Sequence, residues 1–394
     1  MGAILTPRRG WPLYTGMLML LGAAGAQAQD IRVRLFSDRS LQVVTLWSRN
    51  QELRLYGPSR AERVALFPAR HPVRLQAGHT PGLRNTGDRL YLRPDPTDTL
   101  VVQQGAQQYL YRGAMEVEVQ SDGSLWLINV VDLEDYVASV VGAEMPFSEL
   151  EALKAQAVLV RTYTLANLYR FLPLGYHMED HQSSQIYRGL TTERPLTRRA
   201  AIETFGQILT HEGRPVEAVY SSTCGGITAA GEEAWSALPV PYLKAAEDPF
   251  CAHSPHARWR SALPRRAVLD ALSRALGRAV TGLRVLEQGP SGRITSVLAE
   301  GREPVRLTGT QLRAILSQAL GWQALRSTLV RISTTGDQLI FEGRGLGHGV
   351  GLCQYGAQGR ARAGHTYREI LEAYYPGARL ERLFPSYPVA LSRP

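Results

Sequence analysis

A chain of 394 residues that is 44% hydrophobic, 20% charged and 8% aromatic has ordinary globular composition, which excludes collagen-like, low-complexity and wholly disordered classes. A chain this long outgrows a single core, so two or three lobes are expected. The formal net charge of +9 comes almost wholly from arginine, because Lys154 and Lys244 are the only lysines, and it selects no partner by itself.

The first 28 residues read as an export signal: Arg8 and Arg9 give a positive start, Tyr14 to Gly25 an apolar stretch, and Ala26-Gln27-Ala28 a small-residue cleavage site. The mature chain is expected to begin at Gln29 and to act in the periplasm, the cell envelope or the medium. The apolar run is shorter than the roughly 20 residues a membrane span needs, and no later run approaches that length, so no stable span is expected after cleavage. An uncleaved anchor is the alternative. Export argues against a nucleic-acid partner.

From Asp30 to Asn129 short alternating runs, Ile31 to Leu35, Leu53 to Tyr56 and Met115 to Val119, are separated by Gly, Asp, Pro and Asn and predict a β-rich lobe. The period then turns helical: Leu133, Tyr136, Val137, Val140 and Val141 predict a short helix capped by Asp132 and ended by Gly142. Ser148 and Glu151 read as a capping box opening a second helix that continues toward Leu172, where Pro173 stops it. Helical patterns also cover Pro195 to Phe205, 264 to 277 and 308 to 320, with strand-like Leu283 to Leu286 and Ile294 to Leu298 between the last two. Leu339 to Phe341 reads as a strand, and Thr366 with Glu369 caps a last helix ended at Pro376.

Three cysteines in an exported chain suggest one disulfide and one leftover thiol. Cys224 and Cys251 are the expected pair, closing a loop of about 28 residues that contributes roughly 3 to 4 kcal/mol. The competing reading is a zinc set of Cys224, Cys251, His253 and His256. Cys353 reads as a small buried thiol.

Glu144 stands out because Gly142-Ala143-Glu144-Met145-Pro146 places a carboxyl in a turn among apolar residues, where a protonated acid near neutral pH is favoured. An ordinary turn glutamate is the competing reading, and spacing alone favours it. Lys154 and Arg161, seven apart, project from nearly one helix face, either as a solvated stripe or toward substrate oxygens. Glycine at every second position from Gly343 to Gly351 predicts an extended segment with one bare face and His348 on the other; it matches neither a phosphate loop nor a dinucleotide fingerprint. For a lone histidine a buried, hydrogen-bonded structural role is the default. His177 and His181 fall in a loop and make a poor metal pair, and Ser221 and Ser222 lack a nucleophile elbow.

Together these segments resemble the SpoIID/LytB family, the sporulation and amidase-enhancer proteins of bacterial cell walls. The resemblance runs through Asn129 to Tyr136, Glu144-Met145-Pro146, Leu153 to Ala157 with Arg161-Thr162-Tyr163, and Gln185 to Gly189. It continues through Tyr220 to Gly226, Trp235, Asp248, Ser254-Pro255, Trp259, Gly347 to Gly351 and Tyr374 to Gly377. It implies an α+β (mixed α/β) fold: a β-rich region over 29–109, a catalytic lobe with helices packed on a sheet over 110–260, a smaller α+β lobe over 261–335, and 336–394 completing the catalytic lobe. It also implies lytic transglycosylase activity on peptidoglycan glycan strands with Glu144 as catalytic residue, and substrate contacts from Lys154, Arg161, Tyr187, Ser221, His348 and Gln354. Glu149, Asp180 or Glu232 as a second acid would make it a hydrolase instead. Some members hold zinc in the catalytic lobe; zinc is the less favoured reading here, and no cofactor is expected. The alternative role is a non-catalytic glycan-binding factor that stimulates a cell-wall amidase.

Overall fold

The computed structural model of the chain describes residues 29–235 and 239–383; the expected export signal lies outside them. The fold is α+β, and the described chain forms two compact units, residues 29–218 joined by 379–383, and residues 219–378. Among the described residues no helix is long and apolar enough to cross a membrane.

The strands of the first unit are β1 (Asp30–Leu35), β2 (Val43–Ser48), β3 (Leu53–Tyr56), β4 (Arg63–Phe67), β5 (Val73–Gln76), β6 (Arg89–Arg93), β7 (Leu100–Gln104), β8 (Gln107–Tyr111), β9 (Ala114–Val119), β10 (Leu125–Asp132), β11 (Met178–Glu179), β12 (Gln207–His211) and β13 (Arg214–Pro215). One sheet is ordered β11-β1-β10-β9-β6-β3-β4 and another β5-β2-β7-β8, while β12 lies between β13 and the strand Arg379–Arg382. Alternation explains β1: Ile31, Val33 and Leu35 are buried, and the Arg32 guanidinium between them forms a two-pronged pair with the buried Glu116 at 2.6 Å. β1 runs antiparallel along β10, with Ile31 opposite Val131 and Leu35 opposite Leu127. The units divide the chain differently from the expected lobes: β1, β3, β4 and β6 share a sheet with β9, β10 and β11, the unit boundary at 218/219 falls within 110–260, and 336–378 belongs to the second unit.

Three helices complete this unit: α1 (Leu133–Glu144), α2 (Leu150–Ala166) and α3 (Pro195–Glu203). The Asp132 carboxylate caps α1, accepting from the amides of Glu134 at 2.8 Å and Asp135 at 3.3 Å. Gly142 does not end α1. It lies inside the helix, where a Cβ would sit 2.0 Å from the carbonyl oxygen of Thr192, so the residue is small to admit a neighbouring backbone. α2 starts without the expected capping box, since Glu149 occupies the cap position and makes no side-chain cap bond. It also stops at Ala166, well before Pro173: the Asn167 side chain folds back onto the carbonyl of Tyr163 at 2.9 Å and closes the last turn.

The second unit runs β14 (Tyr220–Ser221), α4 (Gly231–Trp235), β15 (Trp259–Pro264), α5 (Arg265–Leu276), β16 (Gly282–Gln288), β17 (Ile294–Glu300), β18 (Val305–Thr308), α6 (Gly309–Leu320), β19 (Val330–Thr335), β20 (Gln338–Gly343), β21 (Leu352–Cys353), α7 (Gln354–Arg362) and α8 (Tyr367–Tyr374). Val268, Leu272, Val297, Leu316 and Phe341 anchor one core shared by α5, α6, β17 and β20. Each such side chain contributes roughly 1.5 to 3 kcal/mol of burial. The glycine run is not the expected extended segment. After β20 ends at Gly343, Gly345, Gly347, Gly349 and Gly351 all take left-handed φ values, from 68° to 103°. The alternating pattern therefore encodes a string of turns, joined to the rest by single bridges from Leu346 to Thr223 and from Val350 to Ala229.

Candidate functional site

Glu144 is the last residue of α1 and is half-buried, and its Oε1 accepts a hydrogen bond from the backbone amide of Ile186 at 2.9 Å. The segment carrying Ile186 is pinned on both sides. Gln185 Oε1 accepts from Tyr136 at 3.2 Å and Thr164 at 3.0 Å, while the Tyr187 hydroxyl donates to Asn129 at 2.6 Å. Asn129 in turn donates to the carbonyls of Arg112 at 2.9 Å and Ala114 at 3.0 Å. Burial raises the Tyr136 phenol well above its ordinary range, with the charges of Tyr163 and Glu144 adding, so it stays a neutral donor. At the other end of α1, burial and the nearby Asp135 push Asp132 up to about 6.

Two of the residues given substrate contacts by the resemblance lie in the core. Arg161 is fully buried: its guanidinium pairs with Glu134 at 2.7 and 2.5 Å and donates to the Gln207 carbonyl at 2.9 Å, tying α2 to α1 and β12. Tyr187 is 1% exposed and stacks on Tyr136 with ring centroids 5.1 Å apart, so it positions the Ile186 segment from within the core. Lys154 is mostly covered and bonded to Glu151 at 2.8 Å and Glu203 at 2.5 Å. Burial works against its charge, but these two partners carry it above its ordinary value. The sequence reading missed Asn129 and Gln185 as supports although both lie in quoted motifs; a polar residue inside an apolar strand was the available signal for Asn129.

Ser221, His348 and Gln354 lie in the second unit. Ser221 is buried, and its Oγ has no hydrogen-bond partner among the described residues. His348 Nε2 donates to the Tyr220 carbonyl at 3.0 Å while Nδ1 accepts from the Val350 amide at 3.1 Å, which fixes a neutral tautomer. Burial, with the charge of Arg313 adding, holds it at about 4. Gln354 is buried as the first residue of α7, next to the cap residue Cys353. The sulfurs of Cys224 and Cys251, the expected disulfide pair, lie 3.5 Å apart without a bond, and Cys353, expected to stand apart, joins them with Asp248. The alternative zinc set does not form, since His253 bonds Gln358 at 2.9 Å and His256 lies beside Arg326 at 3.4 Å.

Residues 121–211 match the family model described as stage II sporulation protein, and 251–351 match a domain of unknown function. Stage II sporulation protein D of Bacillus subtilis (strain 168) is 30% identical over 266 residues, covering 64% of this chain and 74% of that one. Its counterpart in Bacillus amyloliquefaciens is 30% identical over 293 residues, covering 69% and 80%. The chain belongs to the SpoIID family. An amidase enhancer of Bacillus subtilis is 29% identical over 290 residues, covering 61% of this chain and 39% of the longer relative. The SpoIID match contains Glu144, Ile186 and the buried Glu134–Arg161 pair.

Proposed function

We propose that this SpoIID-family chain is an exported peptidoglycan lytic transglycosylase that cleaves the bond between N-acetylmuramic acid and N-acetylglucosamine, with Glu144 as general acid and then general base. The observation that carries the reading is the seating of Glu144, a half-buried carboxyl at the end of α1 that accepts from the Ile186 amide on a segment locked into the core. The negative end of the helix dipole favours the neutral acid, whereas the Ile186 amide favours the carboxylate, so both forms the reaction needs have support. Protonated Glu144 donates to the glycosidic oxygen as the bond to muramoyl C1 breaks, and the N-acetylglucosamine hydroxyl leaves. The resulting carboxylate takes the proton of the muramoyl C6 hydroxyl, whose oxygen attacks C1 and closes a 1,6-anhydro ring. No water is consumed and no second acid is required. Asp180 is unsuited to that second role, because its carboxylate is buried and accepts from the Phe36 amide at 2.8 Å and the Ser37 hydroxyl at 2.9 Å.

Similarity to an amidase enhancer carries a second reading, a glycan-binding factor that stimulates a cell-wall amidase. Mass spectrometry of glycan strands, with and without stem peptides, separates the two after digestion by the mature chain and by Glu144→Gln. Anhydro-muramoyl ends from the unaltered chain alone are expected. Reducing ends would mean hydrolysis, equal cleavage by both proteins would remove Glu144 from the chemistry, and no cleavage by either would favour the enhancer.

A further inference from the structure

The second unit gathers three cysteines and one aspartate from distant parts of the chain. Cys224 follows β14, Asp248 precedes and Cys251 ends the short 3-10 turn Pro249–Cys251, and Cys353 caps α7. Their three sulfurs and a carboxylate oxygen all lie within 4.8 Å of one another, and each of the four residues is at most 1% exposed. We propose that Cys224, Cys251, Cys353 and Asp248 form a structural zinc site.

The spacings suit a metal better than a disulfide. Zinc–sulfur bonds of about 2.3 Å put the sulfurs of a tetrahedron roughly 3.7 Å apart. The Cys224 and Cys251 sulfurs are 3.5 Å apart, and the Cys224 sulfur is 3.3 Å from Asp248 Oδ2. A disulfide between any two cysteines would strand the third thiol and a buried carboxylate in the same small space, whereas one ion satisfies all four groups. The surroundings are those of anionic ligands. The Cys353 sulfur accepts from the amides of Cys224 and Gly356, each at 3.2 Å, from its place at the start of α7. Asp248 Oδ2 accepts from the Tyr374 hydroxyl at 2.8 Å, an outer partner that orients it. Three thiolates and a carboxylate around zinc leave a net double negative charge. Arg360 stands 3.5 Å from Asp248 Oδ1 and Arg293 donates to the Cys224 carbonyl at 2.6 Å, and both offset it. Soft sulfur donors in fourfold arrangement select zinc over magnesium or calcium. Four protein ligands leave no position open for substrate, so the ion's work is to join the three segments and to keep the thiols from oxidising outside the cytoplasm.

The test is elemental analysis of the full mature chain purified without added metal, with the intact mass measured under non-reducing conditions. About one zinc per chain and three thiols that react only after chelation are expected. Cobalt(II) exchanged into the site should show the visible bands of a tetrahedral thiolate complex. Cys353→Ser should lose zinc outright. Tyr374→Phe, which keeps every ligand, should weaken zinc affinity by roughly 10- to 100-fold. A metal-free chain lighter by two hydrogen atoms would overturn the site in favour of a disulfide. Three free thiols that bind no added zinc, another metal in zinc's place, or full zinc retention by Cys353→Ser would overturn it equally.

Discussion

Arg161→Leu separates a structural guanidinium from a substrate-binding one. In the folded chain the Arg161 side chain is 0% exposed and its partner Glu134 4% exposed, so the substitution leaves a buried carboxylate facing an apolar group. Losing one partner of a buried pair costs about 3 to 5 kcal/mol, and here the Gln207 carbonyl loses its donor as well. In a unit of this size each kcal/mol moves the midpoint by about 2 to 4 °C, so thermal unfolding followed by calorimetry should shift down by roughly 6 to 20 °C. The double variant Glu134→Leu/Arg161→Leu removes the stranded charge and should recover most of that loss. An Arg161→Leu protein that melts with the unaltered chain yet no longer cleaves or binds glycan strands would refute the structural reading and restore the substrate contact.

Glu144→Gln should lower the cleavage rate by roughly 100- to 10,000-fold with an unchanged melting midpoint; a rate within a few-fold of the unaltered chain would exclude acid–base work at this residue. Gly142→Ala should destabilise the first unit by about 1 to 3 kcal/mol, because the new methyl meets the Thr192 carbonyl, and an unchanged denaturant midpoint would show that this approach is not tight. For His348, held at about 4 when folded against an ordinary 6.5, the unfolded chain binds more protons between those values. Its contribution is therefore fully present above pH 6.5 and lost as pH falls toward 4, on the order of 3 kcal/mol in all. Melting series for the unaltered chain and His348→Gln should diverge across that window, and parallel curves would contradict it.

Periodicity carried the elements whose neighbours are close in sequence. The alternation of Ile31, Val33 and Leu35 and the helical recurrence of Tyr136, Val137 and Val140 are local signals, and β1 and α1 follow them. Thr366 with Glu369 formed its capping box, while Ser148 with Glu151 did not, because the chain entered the helix one residue later. Glu144 was legible as an isolated carboxyl beside Met145-Pro146, but the Ile186 amide that holds it comes from a loop with no periodic signal. The burial of Arg161 was not legible because a sequence gives a charge and not its partner: Glu134 sits on another helix. The sulfur cluster stayed hidden for the same reason, since Cys353 lies far along the chain from Cys224 and Cys251 and reaches them through the parallel pairing of Ser221 with Cys353.

The strand Arg379–Arg382 completes the edge of β12 in the first unit after the chain has built the whole of the second. On a growing or translocating polypeptide, β12 therefore waits with one row of backbone donors and acceptors unsatisfied until these late residues emerge. Chain shortening ahead of Arg379 would leave residues 219–378 whole while exposing a sticky edge at a distance in sequence. Aggregation during folding, rather than loss of residues 219–378, is the failure such a truncation should produce.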